Sequence, residues 1–106
     1  MKKSFVACLV FSGFFFSHGV FAVDAAKAKK LASKKMCLAC HAVDKKLVGP
    51  AYKDVAAKYK GDSKAVGMLT TKIIKGGSGS WGPIPMPPHP MPEADAKLLA
   101  EWILAM

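Results

Sequence analysis

Little in this chain can hold a small protein together covalently. Three cysteines in 106 residues are too few for a disulfide-stapled scaffold. No stretch alternates apolar and polar residues convincingly, which argues against a sheet protein, and the lack of internal repeats or an interdomain linker leaves one domain. No apolar run reaches the roughly 20 residues that a spanning helix needs, so a permanent membrane anchor is not expected.

The longest apolar run, Phe5 to Phe16, is flanked as an export signal is. Lys2 and Lys3 supply a basic start, and Ser17 to Ala22 pass from polar to small residues, ending Val20-Phe21-Ala22. Cleavage is expected after Ala22, which makes 1–22 a secretory signal peptide and 23–106 the mature domain, placed in the periplasm. Cys8 lies inside the apolar run rather than at its close, where a lipidated cysteine belongs, and is expected to be discarded. The mature part then carries 14 lysines, no arginine and 7 acidic residues, a formal +7. Its 84 residues bury little apolar surface for their size, so a metal or cofactor is expected to complete the core.

The two remaining cysteines stand in Cys37-Leu38-Ala39-Cys40-His41. A thioredoxin-like pair belongs at a strand-to-helix turn among alternating strands and helices, a pattern absent here. A zinc site needs a fourth ligand, usually from a second Cys or His knuckle, and His89 alone is a poor candidate. The third reading is covalent attachment of a c-type haem: two thiols add to the vinyl groups and the next residue ligates iron. One helical turn sets both sulfurs along one porphyrin edge. Export agrees with this reading, because haem is attached outside the bacterial cytoplasm.

A second segment stands out. "WGPIPMPPHPMP", residues 81 to 92, holds six of the seven prolines, so it is expected to be a stiff extended loop rather than a helix or an inner strand. Stiffness positions something, and a haem iron held by His41 has a second face to fill. Methionine sulfur opposite histidine is the electron-transfer choice, and Met86 lies far enough along the chain to return on that face.

In "CLACHAVDKKLVGPAYKDVAAKY", "GGSGSWGPIPMPP" and "LLAEWILAM" the mature chain resembles the small bacterial class I cytochromes c of the c-551 or c8 type. The resemblance implies an all-α cytochrome c fold of about four short helices around one covalent haem. It implies thioethers at Cys37 and Cys40, axial ligation by His41 and Met86, Pro50 packing on the proximal histidine, Trp81 reaching a haem propionate and Lys72 as a cation near one. After "MPP" such proteins often carry an amide side chain; here His89 stands instead.

Read without the resemblance, the chain is also helical. A helix from about Asp24 to Met36 presents Ala28, Leu31 and Ala32; Tyr52, Val55, Ala56 and Tyr59 follow helical spacing before Gly61. Ser63 can cap a third helix with a Val66, Leu69, Ile73 stripe, stopped by Gly76 and Gly77. The last, from about Glu93, presents Leu98, Leu99, Trp102, Ile103 and Met106. Tyr59 and Trp102 are expected in the core rather than beside a cofactor, and Met36, Met68 and Met106 as core filler. Met91 is expected to pack on the first turn of the last helix.

The function expected is a monomeric one-electron carrier, not an enzyme. Two ionised propionates would lower its charge to about +5, and lysines around an exposed haem edge would draw acidic docking patches on redox partners. Those partners are a quinol-oxidising complex, a terminal oxidase or a nitrite reductase. Nucleic acid is not expected, since no recognised module is present, and free anionic lipid is the weaker match. The alternative is a haem peroxidase or gas sensor in which Met86 dissociates and a polar residue such as His89 acts distally.

Overall fold

The computed structural model describes residues 23–106 and Gly13; the expected signal peptide, with Lys2, Lys3 and Cys8, lies outside the described residues. Four helices follow in order: α1 (Ala25–Lys34), α2 (Tyr52–Lys58), α3 (Ala65–Lys75) and α4 (Glu93–Leu104). A single 3-10 turn, Cys37–Ala39, comes after α1, and a short antiparallel hairpin, β1 (Gly77–Gly79) and β2 (Gly82–Met86), joins α3 to the loop before α4. Among the described residues no helix is long and apolar enough to cross a membrane.

The helix starts follow local chemistry. Asp24 caps α1, its carboxylate accepting from the Lys27 amide at 3.0 Å, which satisfies one of the orphan donors of a first turn. For α3 the capping expectation needs correcting. Ser63 is exposed and caps nothing, while the Asp62 carboxylate accepts from the Lys64 amide at 2.9 Å. A carboxylate one residue earlier reaches the same turn. The α3 stop is as expected, at Gly76 with φ +69°, a conformation a side chain would strain.

Helix α4 is the spine, touching α1, α2 and α3. Its inward residues Ala96, Leu99, Ala100 and Ile103 are buried, and they meet Ala32 and Cys37 on one side and Tyr52 and Val55 on the other. Much of this contact is alanine against helix, which lets axes approach closely; Leu99 is the largest side chain that is fully buried. Trp102 bridges the two clusters and meets the Tyr52 ring edge-on at 5.5 Å, a core residue as expected. Met106 packs on the second cluster. Met36 and Met68 do not fill the core: they are 69% and 39% exposed.

The hairpin is the element that sequence periodicity missed. Prolines at 83 and 85 argue against a strand, yet Gly82, Ile84 and Met86 alternate with them, so every second residue keeps its amide. Backbone groups of alternate residues point to the same side of a strand, so one side can pair while the prolines face away. The partners are Gly77 with Met86 and Gly79 with Gly82, with an irregularity between.

Two substitutions test this packing. Leu99→Ala should lower the unfolding free energy of the holoprotein by about 2–5 kcal/mol. Gly67→Ala, in α3 where a methyl group meets nothing within 4 Å, should raise it by about 0.5–1 kcal/mol. Denaturant midpoints at unchanged slope provide the measurement.

Candidate functional site

A cavity of about 520 Å³ opens between α2, α3, the hairpin and the Cys37–His41 turn, within the range of clefts that hold a cofactor, ~300–1,000 Å³. All seven residues expected at the site, Cys37, Cys40, His41, Pro50, Lys72, Trp81 and Met86, line this one space. Its other walls are mainly apolar, among them Val48, Tyr52, Val55, Leu69, Ile73 and Leu99. Met91 does not line it and packs instead on the core cluster of Ala96 and Leu99.

The cysteine turn is set by the backbone. Met36 takes a left-handed conformation at φ +61°, which ends α1 and starts a new turn. The Cys37 carbonyl then accepts from the amides of Cys40 at 3.2 Å and His41 at 3.0 Å, so one turn carries both sulfurs and the imidazole. The two thiols are not joined to each other. Burial is the main cause holding the Cys37 thiol protonated above its ordinary range, with Cys40 adding to it. Among the described residues no three His, Cys, Asp or Glu side chains converge on a point that could hold a metal ion.

The histidine is held on three sides. Its Nδ1–H donates to the Pro50 carbonyl at 2.8 Å; a carbonyl only accepts, so the proton sits on Nδ1 and the Nε2 lone pair is free. The Tyr52 ring stacks on it at 5.1 Å and 18°. Gly49 lies beneath, where any Cβ would overlap the imidazole Cε1 and come within 2.8 Å of Nδ1. The loop folds back through the Gly49 amide to the Cys40 carbonyl at 2.8 Å and the Tyr52 amide to the Ala42 carbonyl at 2.9 Å. Pro50 therefore does more than pack on the ring: its carbonyl selects the tautomer. Burial, and after it Cys37, raises the Tyr52 hydroxyl above its usual range, so it stays neutral.

The methionine is positioned by α3. At Gly76 a side chain would collide with the Met86 carbonyl and Pro88 nitrogen, so the loop lies directly on the helix end. The His89 amide donates to the Ile73 carbonyl at 3.0 Å, satisfying a carbonyl of the last turn. His89 is partly buried, and its Nδ1 is a buried atom with no partner among the described residues. Met86 itself is half-buried against the core. Trp81 is 42% exposed, and Lys58 stands 4.4 Å over its ring while donating to the Ser80 carbonyl at 2.8 Å. Lys72 lies over Gly77, its Nζ 2.7 Å from where a Cβ would be.

Sequence reasoning missed several wall residues. Met36 and Met68, expected in the core, line the cavity instead, and Tyr59, which packs on the second core cluster as expected, lines it as well, because a helical stripe looks the same whether it faces another helix or a cofactor. Gly49 had a legible signal in "VGP", a glycine beside a proline next to the motif. The donor set fits a covalently attached haem: two free thiols on one turn, an imidazole with its outer nitrogen unengaged, and a thioether across one apolar space.

Comparison with known proteins agrees. Residues 25–106 match the family model of cytochrome c. The chain is 55% identical over 76 residues to cytochrome c-551 of Azotobacter vinelandii, covering 72% of this chain and 93% of that one. It is 44% identical over 105 residues to cytochrome c-551 of Pseudomonas aeruginosa, covering 99% and 98%. Its fold is similar to the crystal structure of cytochrome c552 from Nitrosomonas europaea, with a TM-score of 0.70 at 54% identity over 73% of this chain and 96% of that one. The chain belongs to the cytochrome c family, as a small electron carrier built around covalently attached haem c rather than an enzyme.

Proposed function

We propose that residues 1–22 direct export to the periplasm, that Cys37 and Cys40 form the thioethers, and that His41 Nε2 and Met86 sulfur are the two axial ligands of one haem c. The observation that carries this reading is that the imidazole, with Nδ1 committed to Pro50, and the Met86 side chain line the same cavity. The match to the Pseudomonas relative over nearly the full length of both chains supports a shared leader.

When bound, haem c supplies a ferric/ferrous couple, and the residues decide how that couple behaves. Pro50, Tyr52 and Gly49 fix the His41 ring so that it need not reorient between oxidation states, which keeps the cost of exchange low. The proline-rich loop, seated on Gly76 and Ile73, does the same for Met86. Apolar walls exclude water from the ligands, and thioether ligation favours the reduced form. In this reading Trp81, over whose ring Lys58 stands, and Lys72 would meet the propionates. Partners are redox proteins, docking acidic patches against the lysines beside the cavity mouth, and the carrier works as a monomer.

Ligation is checked in the ferric holoprotein. Met86→Ala should abolish the weak far-red sulfur-to-iron band and lower the potential by on the order of 0.1 V, a fraction of the roughly 0.8 V that axial ligands span. Met91→Leu should leave both unchanged; loss of the band in that variant alone would reverse the assignment. Gly49→Ala should displace His41 and cost about 1–3 kcal/mol of stability, read from denaturant unfolding, with a shifted Soret band. Ferrous protein mixed with carbon monoxide at neutral pH should bind it slowly or barely, and peroxidase turnover should be negligible; rapid stoichiometric binding would favour gas sensing.

A further inference from the structure

The tryptophan at the cavity mouth is held by something other than the core. Trp81 lines the cavity, is 42% exposed and belongs to neither buried cluster. Its chain neighbours do not fix it either: Gly79 and Gly82 lie on either side at φ +104° and +110°, and a Cβ added at each would meet nothing within 4 Å. What stands against the ring is Lys58, the last residue of α2, its Nζ 4.4 Å from the Trp81 ring centroid and 5.5 Å from that of Tyr59. The same ammonium donates to the Ser80 carbonyl at 2.8 Å, so one side chain grips both the ring and the backbone just before it, from 22 residues away in sequence. Among the described residues the ion pairs are Lys53 with Asp44 and Lys97 with Glu101, so no carboxylate draws Lys58 elsewhere.

A cation in this place does two things to the indole. It is attracted by the negative face of the ring, which resists rotation of the ring away from it. It also draws electron density towards itself and leaves the indole N–H a stronger donor. A fixed and polarised indole binds a carboxylate better than one that turns. The negative charge of a propionate favours ferric iron, and a donor that takes up part of that charge shifts the balance towards the ferrous state. On the reading that Trp81 meets a propionate, we propose that Lys58 is a positioning residue for electron transfer: it holds the Trp81 indole at the cavity and thereby raises the redox potential. Lys58 does not itself line the cavity, so its charge acts through the ring. Arginine can take the same place over the indole, and a neutral side chain cannot.

The ferrous holoprotein is followed by nitrogen–proton NMR, with the Trp81 indole N–H assigned by its loss in Trp81→Phe, and the potential of each variant is titrated alongside. Lys58→Gln should speed hydrogen exchange at that N–H about two- to fivefold, the size of an exposed cation–π contact, and lower the potential. The Trp102 N–H, in the core, should keep its rate and report an intact fold. Lys58→Arg should keep both values near those of the parent chain. Lys60→Gln removes an equal charge from an exposed lysine nearby; it should leave the exchange rate unchanged and lower the potential far less. In a Trp81→Phe background, Lys58→Gln should lower the potential no further than Lys60→Gln does. Equal effects of Lys58→Gln and Lys60→Gln on the potential would mean that net charge alone acts and would overturn the role of Lys58. So would an indole exchange rate that Lys58→Gln leaves unmoved while Trp81→Phe still shifts the potential. A Trp81→Phe variant of unchanged potential would instead overturn the propionate reading itself, and the role of Lys58 with it.

Discussion

The chain cannot fill its own centre, and most of its architecture follows from that. Its helices meet through alanines, Ala28, Ala32, Ala96 and Ala100 all being buried, while Leu69, Ile73, Leu99 and Tyr52 reach past the contact into a shared cavity. A domain of this size has too little interior to leave such a volume empty at no cost. The apolar area that would close an ordinary core is spent on the walls of a slot, so the haem acts as the missing central layer and its attachment becomes part of folding. The hydrogen bond from His41 to Pro50, the seat at Gly49 and the loop on Gly76 hold the protein side of that layer in register.

How legible this was depended on whether a signal was local. The Cys-Leu-Ala-Cys-His turn and the four helices rest on spacing, and spacing survives folding; the choice of Met86 over Met91 as the residue at the cavity rests on the loop motif around it. The hairpin did not show because its strands are too short for alternation to stand out and because prolines at 83 and 85 hide a strand whose intervening amides are free. Ser63 does not cap α3, whose N-cap is Lys64 without a side-chain bond; the Asp62 carboxylate instead accepts from the Lys64 amide in the turn before the helix. Met36 and Met68 read as core, and Tyr59 as core alone, because apolar periodicity reports a buried face without saying what buries it.

Charge divides the surface in two. Beside the cavity mouth, lysines such as Lys46, Lys58 and Lys72 stand near exposed apolar side chains, a combination suited to brief protein encounters with an electrostatic approach. On α1 the lysines stand without such neighbours.

The prolines of β2 have one more effect, which concerns the chain before the cofactor is attached. A two-stranded hairpin has two outer edges, and on β2 the outer edge is where Pro83 and Pro85 stand. An edge without amide donors cannot extend into a further strand with another molecule. Before the apolar cavity is filled, the sheet among the described residues is thus closed to growth on its β2 side. The prolines that stiffen the loop around Met86 thereby also keep the β2 edge from recruiting a second chain.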